Sequence, residues 1–266
     1  MIVRVISAII MAAAVIAVIW LLPLWWLQLF ILIAAAIGLI EYCRMFFEDR
    51  WERWAAFAAG TASAFFVIFE PVGVEGVVLL LPALLFALSM LFMWRARELP
   101  GVAQRLALAV MGVIYLGVSF PLWGWIASEP HGRSYLMLAL APACLCDTFA
   151  LASGKAFGNR KFAPLVSPKK TVEGFVGALF GSLVGTFFIR YLLLPEISFL
   201  NAVLLALIIW IASPLGDLVE SMLKRSCGVK DSGTIIPGHG GVLDRLDALI
   251  FTGPAAYAFF KYILNL

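Results

Sequence analysis

Nine stretches of this chain are apolar for long enough to cross a lipid bilayer, and nothing else in it constrains the fold as strongly. A spanning helix needs about 20 mostly apolar residues, because the hydrocarbon core offers no partner to an unpaired backbone N–H or C=O. The runs lie at approximately 5–22, 24–40, 54–70, 76–94, 104–127, 134–153, 172–194, 198–219 and 246–264. Only 13% of the 266 residues are charged, about half the share of a soluble domain. The expected fold is all-α, a polytopic membrane helical bundle with about nine transmembrane helices. Pro23 separates the first two runs and predicts a tight helical hairpin. Gly60 and several small or polar neighbours make the third run the weakest span. The first run is long enough to stay as a span, and no small-residue cleavage motif ends it, so no removable signal is expected.

Basic residues orient the bundle. With nine spans, one face receives the N-terminus and the loops at 41–53, 95–105, 153–171 and 220–245, and sixteen of the 19 lysines and arginines fall there. The other face holds only Arg133, Arg190 and Lys261. By the positive-inside rule the rich face is cytoplasmic, which puts the N-terminus inside, the C-terminus outside and the protein in the cell membrane. The tryptophans near run ends, such as Trp20, Trp25, Trp26 and Trp51, suit interface anchors. The four cysteines have no zinc-type spacing and read as buried thiols. The expected organisation is a scaffold of helices over 1–133 and a chemistry-bearing part over 134–266.

Polar chemistry is concentrated in one place. Residues 217–247 hold four of the six aspartates, Asp217, Asp231, Asp244 and Asp247, with Lys224, Arg225, Lys230, Arg245 and one of two histidines, His239. Asp217, Glu220, Ser221 and Lys224 stand at helical spacing on one face. Glu220 and Lys224 can simply pair with each other. Asp217 lies deepest, just after Pro214 and Gly216, and charge at membrane depth normally faces a cavity or a partner. It is the first candidate metal ligand. Glycines 233, 238, 240 and 241 with Pro237 exclude a regular helix and allow backbone N–H groups to converge on an anion. Read blandly, they only turn the chain. Asp244 and Asp247, at i and i+3, suit oxygen coordination of a hard divalent cation, although capping the next helix would explain one of them.

A second basic cluster precedes them. Asp147 sits near the inner end of the sixth run, followed by Gly154 to Lys161 and then Ser167-Pro168-Lys169-Lys170-Thr171-Val172-Glu173-Gly174. Lysines and arginines with Ser and Thr suit a triphosphate or a lipid headgroup, while basic loops also serve only to hold the cytoplasmic side. Ser167-Pro168 reads as an N-cap followed by a first-turn proline.

The run from Ser221 to Asp247 resembles the signature of the phosphatidate cytidylyltransferase (CDP-diacylglycerol synthase) family: Ser221, Lys224-Arg225, Lys230-Asp231, Pro237, His239-Gly240-Gly241, Asp244-Arg245 and Asp247 all fall in register. The segment at 167–174 is similar to a second recurrent segment of that family, whereas Cys144-Leu145-Cys146 before Asp147 matches it loosely. The resemblance implies transfer of a cytidylyl group from CTP to phosphatidic acid, giving CDP-diacylglycerol and pyrophosphate. It implies Mg²⁺, with a second cation such as K⁺, and carries the metal-ligand roles to Asp217 and Asp244. It also carries Asp231 and Asp247 over as site residues. The chemistry of that reaction gives Lys224, Arg225, Lys230 and Arg245 a catalytic task, stabilising charge on the transition state and the departing pyrophosphate, and His239 either bonds a phosphate oxygen, orders a metal-bound water or only braces the loop. Substrate contacts would come from Asp147, Ser167, Lys169, Lys170, Thr171, Gly240 and Gly241, and a homodimer is implied. Membrane lipid is an expected partner and nucleic acid is not. No D-G-x2-A-R motif of the CDP-alcohol phosphotransferases occurs. A carrier would place its carboxylates near midspan, often in repeated halves, and no repeat is present.

Overall fold

The computed structural model describes residues 13–69, 73–96, 98–235 and 240–266. These are helical almost throughout. After a helical segment α1 over 13–21 come α2 (Leu24–Phe46), α3 (Arg50–Phe69), α4 (Gly73–Arg95) and α5 (Val102–Gly112). A π-helical stretch, Val113–Ser119, leads to α6 (Leu122–Ser128) and α7 (Gly132–Phe157). A short hairpin, β1 (Lys161–Ala163) and β2 (Ser167–Thr171), precedes α8 (Val172–Leu193), α9 (Phe199–Ser226) and α10 (Leu243–Tyr262).

Six of the described helical segments are long and apolar enough to cross a membrane: Leu24–Phe46, Glu75–Arg95, Val102–Ser128, Gly132–Phe157, Val172–Leu193 and Phe199–Ser226. They coincide with six of the nine expected runs. The third and ninth runs are also helices, α3 and α10, but more polar ones. Residues 5–12 of the first run lie outside the described residues, and 13–21 of it are the helical segment α1. Pro82, Pro142, Pro214 and Pro254 all sit inside helices, where neighbouring helices in a membrane bundle can compensate the lost backbone bond.

The chain divides into two compact units, Met1–Trp125 with Asp231–Asp244, and Ile126–Lys230 with Arg245–Leu266. In the first, α3 meets the π-helical segment backbone to backbone, since a Cβ on Gly117 would lie 2.6 Å from the Gly60 carbonyl. Gly60, the residue that weakens this run as an isolated span, is thus a packing surface. The Tyr42 hydroxyl donates to the Leu108 carbonyl at 2.9 Å, and Arg105 pairs with the buried Glu52 at 2.7 Å.

In the second unit, Gly174, Gly177, Gly181 and Gly185 form a stripe on α8 against which α7 lies. A Cβ on Gly174 would come 2.9 Å from the Ala150 carbonyl, and one on Gly185 2.6 Å from Pro142. Ser182 Oγ donates to the Ala206 carbonyl at 2.7 Å, and Trp210 Nε1 to Phe175 at 2.7 Å, tying α8 to α9. Phe162 of the hairpin stacks on Phe175, which meets Trp210 in turn, with centroids 4.8 and 4.7 Å apart.

That hairpin corrects the expected cap. Ser167 pairs with Ala163 in an antiparallel ribbon, and α8 begins five residues later than Ser167, at Val172. Thr171 is the N-cap, its side chain accepting from the Gly174 N–H at 3.1 Å. Both strands of a two-stranded ribbon are edges, so Pro168 costs no interior ladder bond.

Candidate active site

Three helices of the second unit bring carboxylates to one place. Asp147 comes from α7, Asp217 from α9 and Asp247 from α10. The α9–α10 approach is set by Gly216, where an added Cβ would meet the Asp247 carbonyl and come 3.1 Å from the Ala248 Cα. Asp217, the next residue, is thereby carried alongside Asp247. Its Oδ2 pairs with Lys170 Nζ at 2.8 Å, and its Oδ1 accepts from Ser221 Oγ at 3.3 Å. Lys170 also reaches the Pro214 carbonyl at 3.5 Å. The hairpin therefore delivers a cation to the helix that carries Asp217.

The electrostatics follow from this geometry. Asp147 and Asp247 each lie in the field of Asp217, and Asp247 also feels Asp147. Lys170 opposes Asp147, and Arg245 opposes both Asp147 and Asp247. Three carboxylates face two cations. Asp217 and Lys170 are only partly buried, their side chains 33% and 24% exposed.

The other expected residues of this unit divide between exposed and structural positions. Lys169, Arg225, Lys230 and Arg245 are exposed, and Ser167 is half-buried in β2. Arg225 Nη1 donates to the Val229 carbonyl at 3.2 Å, closing the end of α9. Lys224 forms the internal ion pair with Glu220, which the helical spacing allowed. Thr171 is buried as the α8 cap.

In the first unit the glycine loop closes on carboxylates of the protein itself. Asp244 Oδ2 accepts from the Ser232 N–H at 2.9 Å, from Ser232 Oγ at 3.0 Å and from the Gly241 N–H at 2.7 Å. Glu41 of α2, which sequence reasoning passed over, takes the neighbouring donors. Its Oε1 accepts from the Val242 N–H at 3.0 Å, and its Oε2 from the Leu243 N–H at 2.8 Å and from Ser232 Oγ at 2.9 Å. Amides expected to converge on a phosphate are here engaged by two side-chain carboxylates. Glycine is required where they pass: a Cβ on Gly233 would lie 2.6 Å from Glu41 Oε1, and Gly240 has φ +82°. Asp231 is exposed in this loop. His239 falls in 236–239, outside the described residues.

Asp217 and Asp244, which the resemblance casts as metal ligands, belong to different units. No group of three or more His, Cys, Asp or Glu side chains is arranged to hold a metal among the described residues. The donor chemistry of Asp147, Asp217 and Asp247 nonetheless suits Mg²⁺. That ion keeps several waters and is usually held by one or two carboxylates together with substrate phosphates, not by an all-protein cage.

Residues 2–263 match the cytidylyltransferase family. The chain belongs to that family. Among curated cytidylyltransferases, it is 43% identical over 184 residues to the phosphatidate cytidylyltransferase of Synechocystis, an alignment covering 66% of this chain and 62% of that protein. It is 42% identical over 148 residues to the phosphatidate cytidylyltransferase of Staphylococcus aureus, 56% of each chain. It is 44% identical over 153 residues to the chloroplastic phosphatidate cytidylyltransferase 4 of Arabidopsis thaliana, 57% of this chain and 39% of that protein. The chain thus spans little more than half the length of the Staphylococcus relatives it matches.

Proposed function

We propose that this cytidylyltransferase-family protein transfers the cytidylyl group of CTP to phosphatidic acid, releasing pyrophosphate and leaving CDP-diacylglycerol in the membrane. The observation that carries the reading is the Lys170–Asp217 contact, which joins the basic 167–174 segment to the start of the aspartate-rich 217–247 segment. The names and similarity of the relatives support the same reaction.

The chemistry asks little of a general base. The nucleophile is a phosphate oxygen of the lipid, already anionic near neutral pH. It forms a bond to the α-phosphorus of CTP as the bond to the β-phosphate oxygen breaks, and the electron pair leaves with pyrophosphate. The obstacle is repulsion between phosphates, so the protein's task is alignment and charge compensation. Lys170, held by Asp217, presents an ammonium toward the carboxylate cluster, and the exposed Arg245, Lys230 and Lys169 supply further positive charge for phosphate oxygens. Asp217 and Asp244 are the proposed Mg²⁺ ligands, with Asp147 and Asp247 supporting the first. When bound, the metal neutralises phosphate charge and orients the reacting groups. A second cation such as K⁺ belongs to the same proposal, as does a homodimer.

The positive-inside count supports nine spans in the cell membrane with this chemistry on the cytoplasmic side, where CTP is available. The reaction is tested with CTP labelled separately at the α- and γ-phosphates. Label from the α-position should enter the lipid and label from the γ-position should appear in pyrophosphate. Lipid labelled from the γ-position instead would identify a CTP-dependent kinase and sink the proposal.

A further inference from the structure

We infer that Glu41 is the positioning residue for the glycine loop and for Asp244. The side chain is 1% exposed on α2, yet its partners lie about two hundred residues away in the chain. Val242 precedes α10 and Leu243 opens it, where backbone N–H groups have no intrahelical acceptor. A helix start normally takes its cap from a neighbouring Ser, Thr, Asp or Asn. Here the residue before the helix is Val242, which has no side-chain acceptor, and the carboxylate of Glu41 serves instead. A charged acceptor at a helix N-terminus makes short, strong bonds, and the helix dipole favours the negative charge.

Ser232 ties this cap to Asp244. Its hydroxyl lies 2.9 Å from Glu41 Oε2 and 3.0 Å from Asp244 Oδ2, while its N–H binds the same Asp244 oxygen. Glu41 therefore determines where the loop enters α10, and the loop determines how the Asp244 carboxylate is turned. Space enforces the same arrangement, because any side chain on Gly241 would collide with Glu41 and Ser232. A neutral amide at position 41 has one acceptor oxygen for the Val242 and Leu243 amides and the Ser232 hydroxyl together. It must release at least part of the latch.

The kinetic part of the test rests on the proposed reaction; the structural part does not. In the detergent-solubilised full chain, Glu41→Gln should speed amide hydrogen exchange at Ser232 and at 241–243 by about tenfold or more while exchange in α7 and α8 stays unchanged. It should lower turnover by about 10- to 100-fold, the usual scale for losing a partner that orients a metal ligand, and raise the Mg²⁺ concentration for half-maximal rate. Glu41→Asp, which retains two acceptor oxygens, should recover part of the loss. Ser232→Ala should weaken the same Mg²⁺ dependence and add little to Glu41→Gln in the double variant. Wild-type exchange together with wild-type Mg²⁺ dependence in Glu41→Gln overturns the inference. If that variant does not fold, unchanged exchange at 241–243 in both Glu41→Asp and Ser232→Ala overturns it instead. If the unaltered protein fails to transfer CMP, the proposed reaction is wrong, and the exchange measurement alone still decides whether Glu41 holds the loop.

Discussion

Lys170 Nζ lies 2.8 Å from Asp217 Oδ2, so a residue of the β-hairpin and a residue of α9 form one charged unit. Neither is fully buried, which limits what their pairing adds to stability. Its greater consequence is for the charge balance of a cluster containing three carboxylates.

Lys170→Met tests that consequence. The thermal midpoint in detergent should hardly move, because a partly exposed ion pair contributes roughly 1 kcal/mol or less. Turnover should fall on the order of 10²-fold, the scale seen when one charge-stabilising group is removed from an active site. A large loss of stability with little loss of rate would make the contact a structural brace.

Gly216→Ala probes the approach of α9 to α10. The new methyl group would meet the Asp247 carbonyl, and overpacking of this kind costs roughly 1–3 kcal/mol. The two helices must separate to admit it, moving Asp217 relative to Asp247. Reduced thermal stability together with reduced turnover that added Mg²⁺ does not restore is the expected outcome, read from melting and Mg²⁺ titration of the same sample.

Much of this architecture was legible because the bilayer enforces it. Apolar runs of the right length became helices, and Pro23 separates α1 from α2 as its φ restriction and missing donor require. The hairpin was not legible: three and five residues are too few to show alternation, and Ser167-Pro168 mimics a helix start. Thr171 prevailed as the cap because Gly174, one turn on, offers its N–H to the threonine oxygen. Glu41 was missed for a different reason. Its partners are remote in sequence, and a carboxylate at the end of an apolar run reads as the first residue of a loop. The one available signal was its chemistry, since Tyr42 and Cys43 extend the apolar stretch past residue 40 and leave Glu41 needing a partner.

Orientation has its own test. A reporter fused after Leu266 should be active on the outer face of the membrane if nine spans start from a cytoplasmic N-terminus. A cytoplasmic signal would contradict the nine-span arrangement, since termini on the same side of the membrane require an even number of crossings.

The most direct measurement is CMP transfer by the purified protein, with labelled CTP and phosphatidic acid, beside Asp217→Asn and Asp244→Asn. The account predicts lipid-linked CMP and pyrophosphate in equal amounts with Mg²⁺, none after chelation, and no turnover by either variant while both remain folded and extractable. Absence of lipid-linked CMP from the unaltered protein, or full activity in either variant, would contradict it.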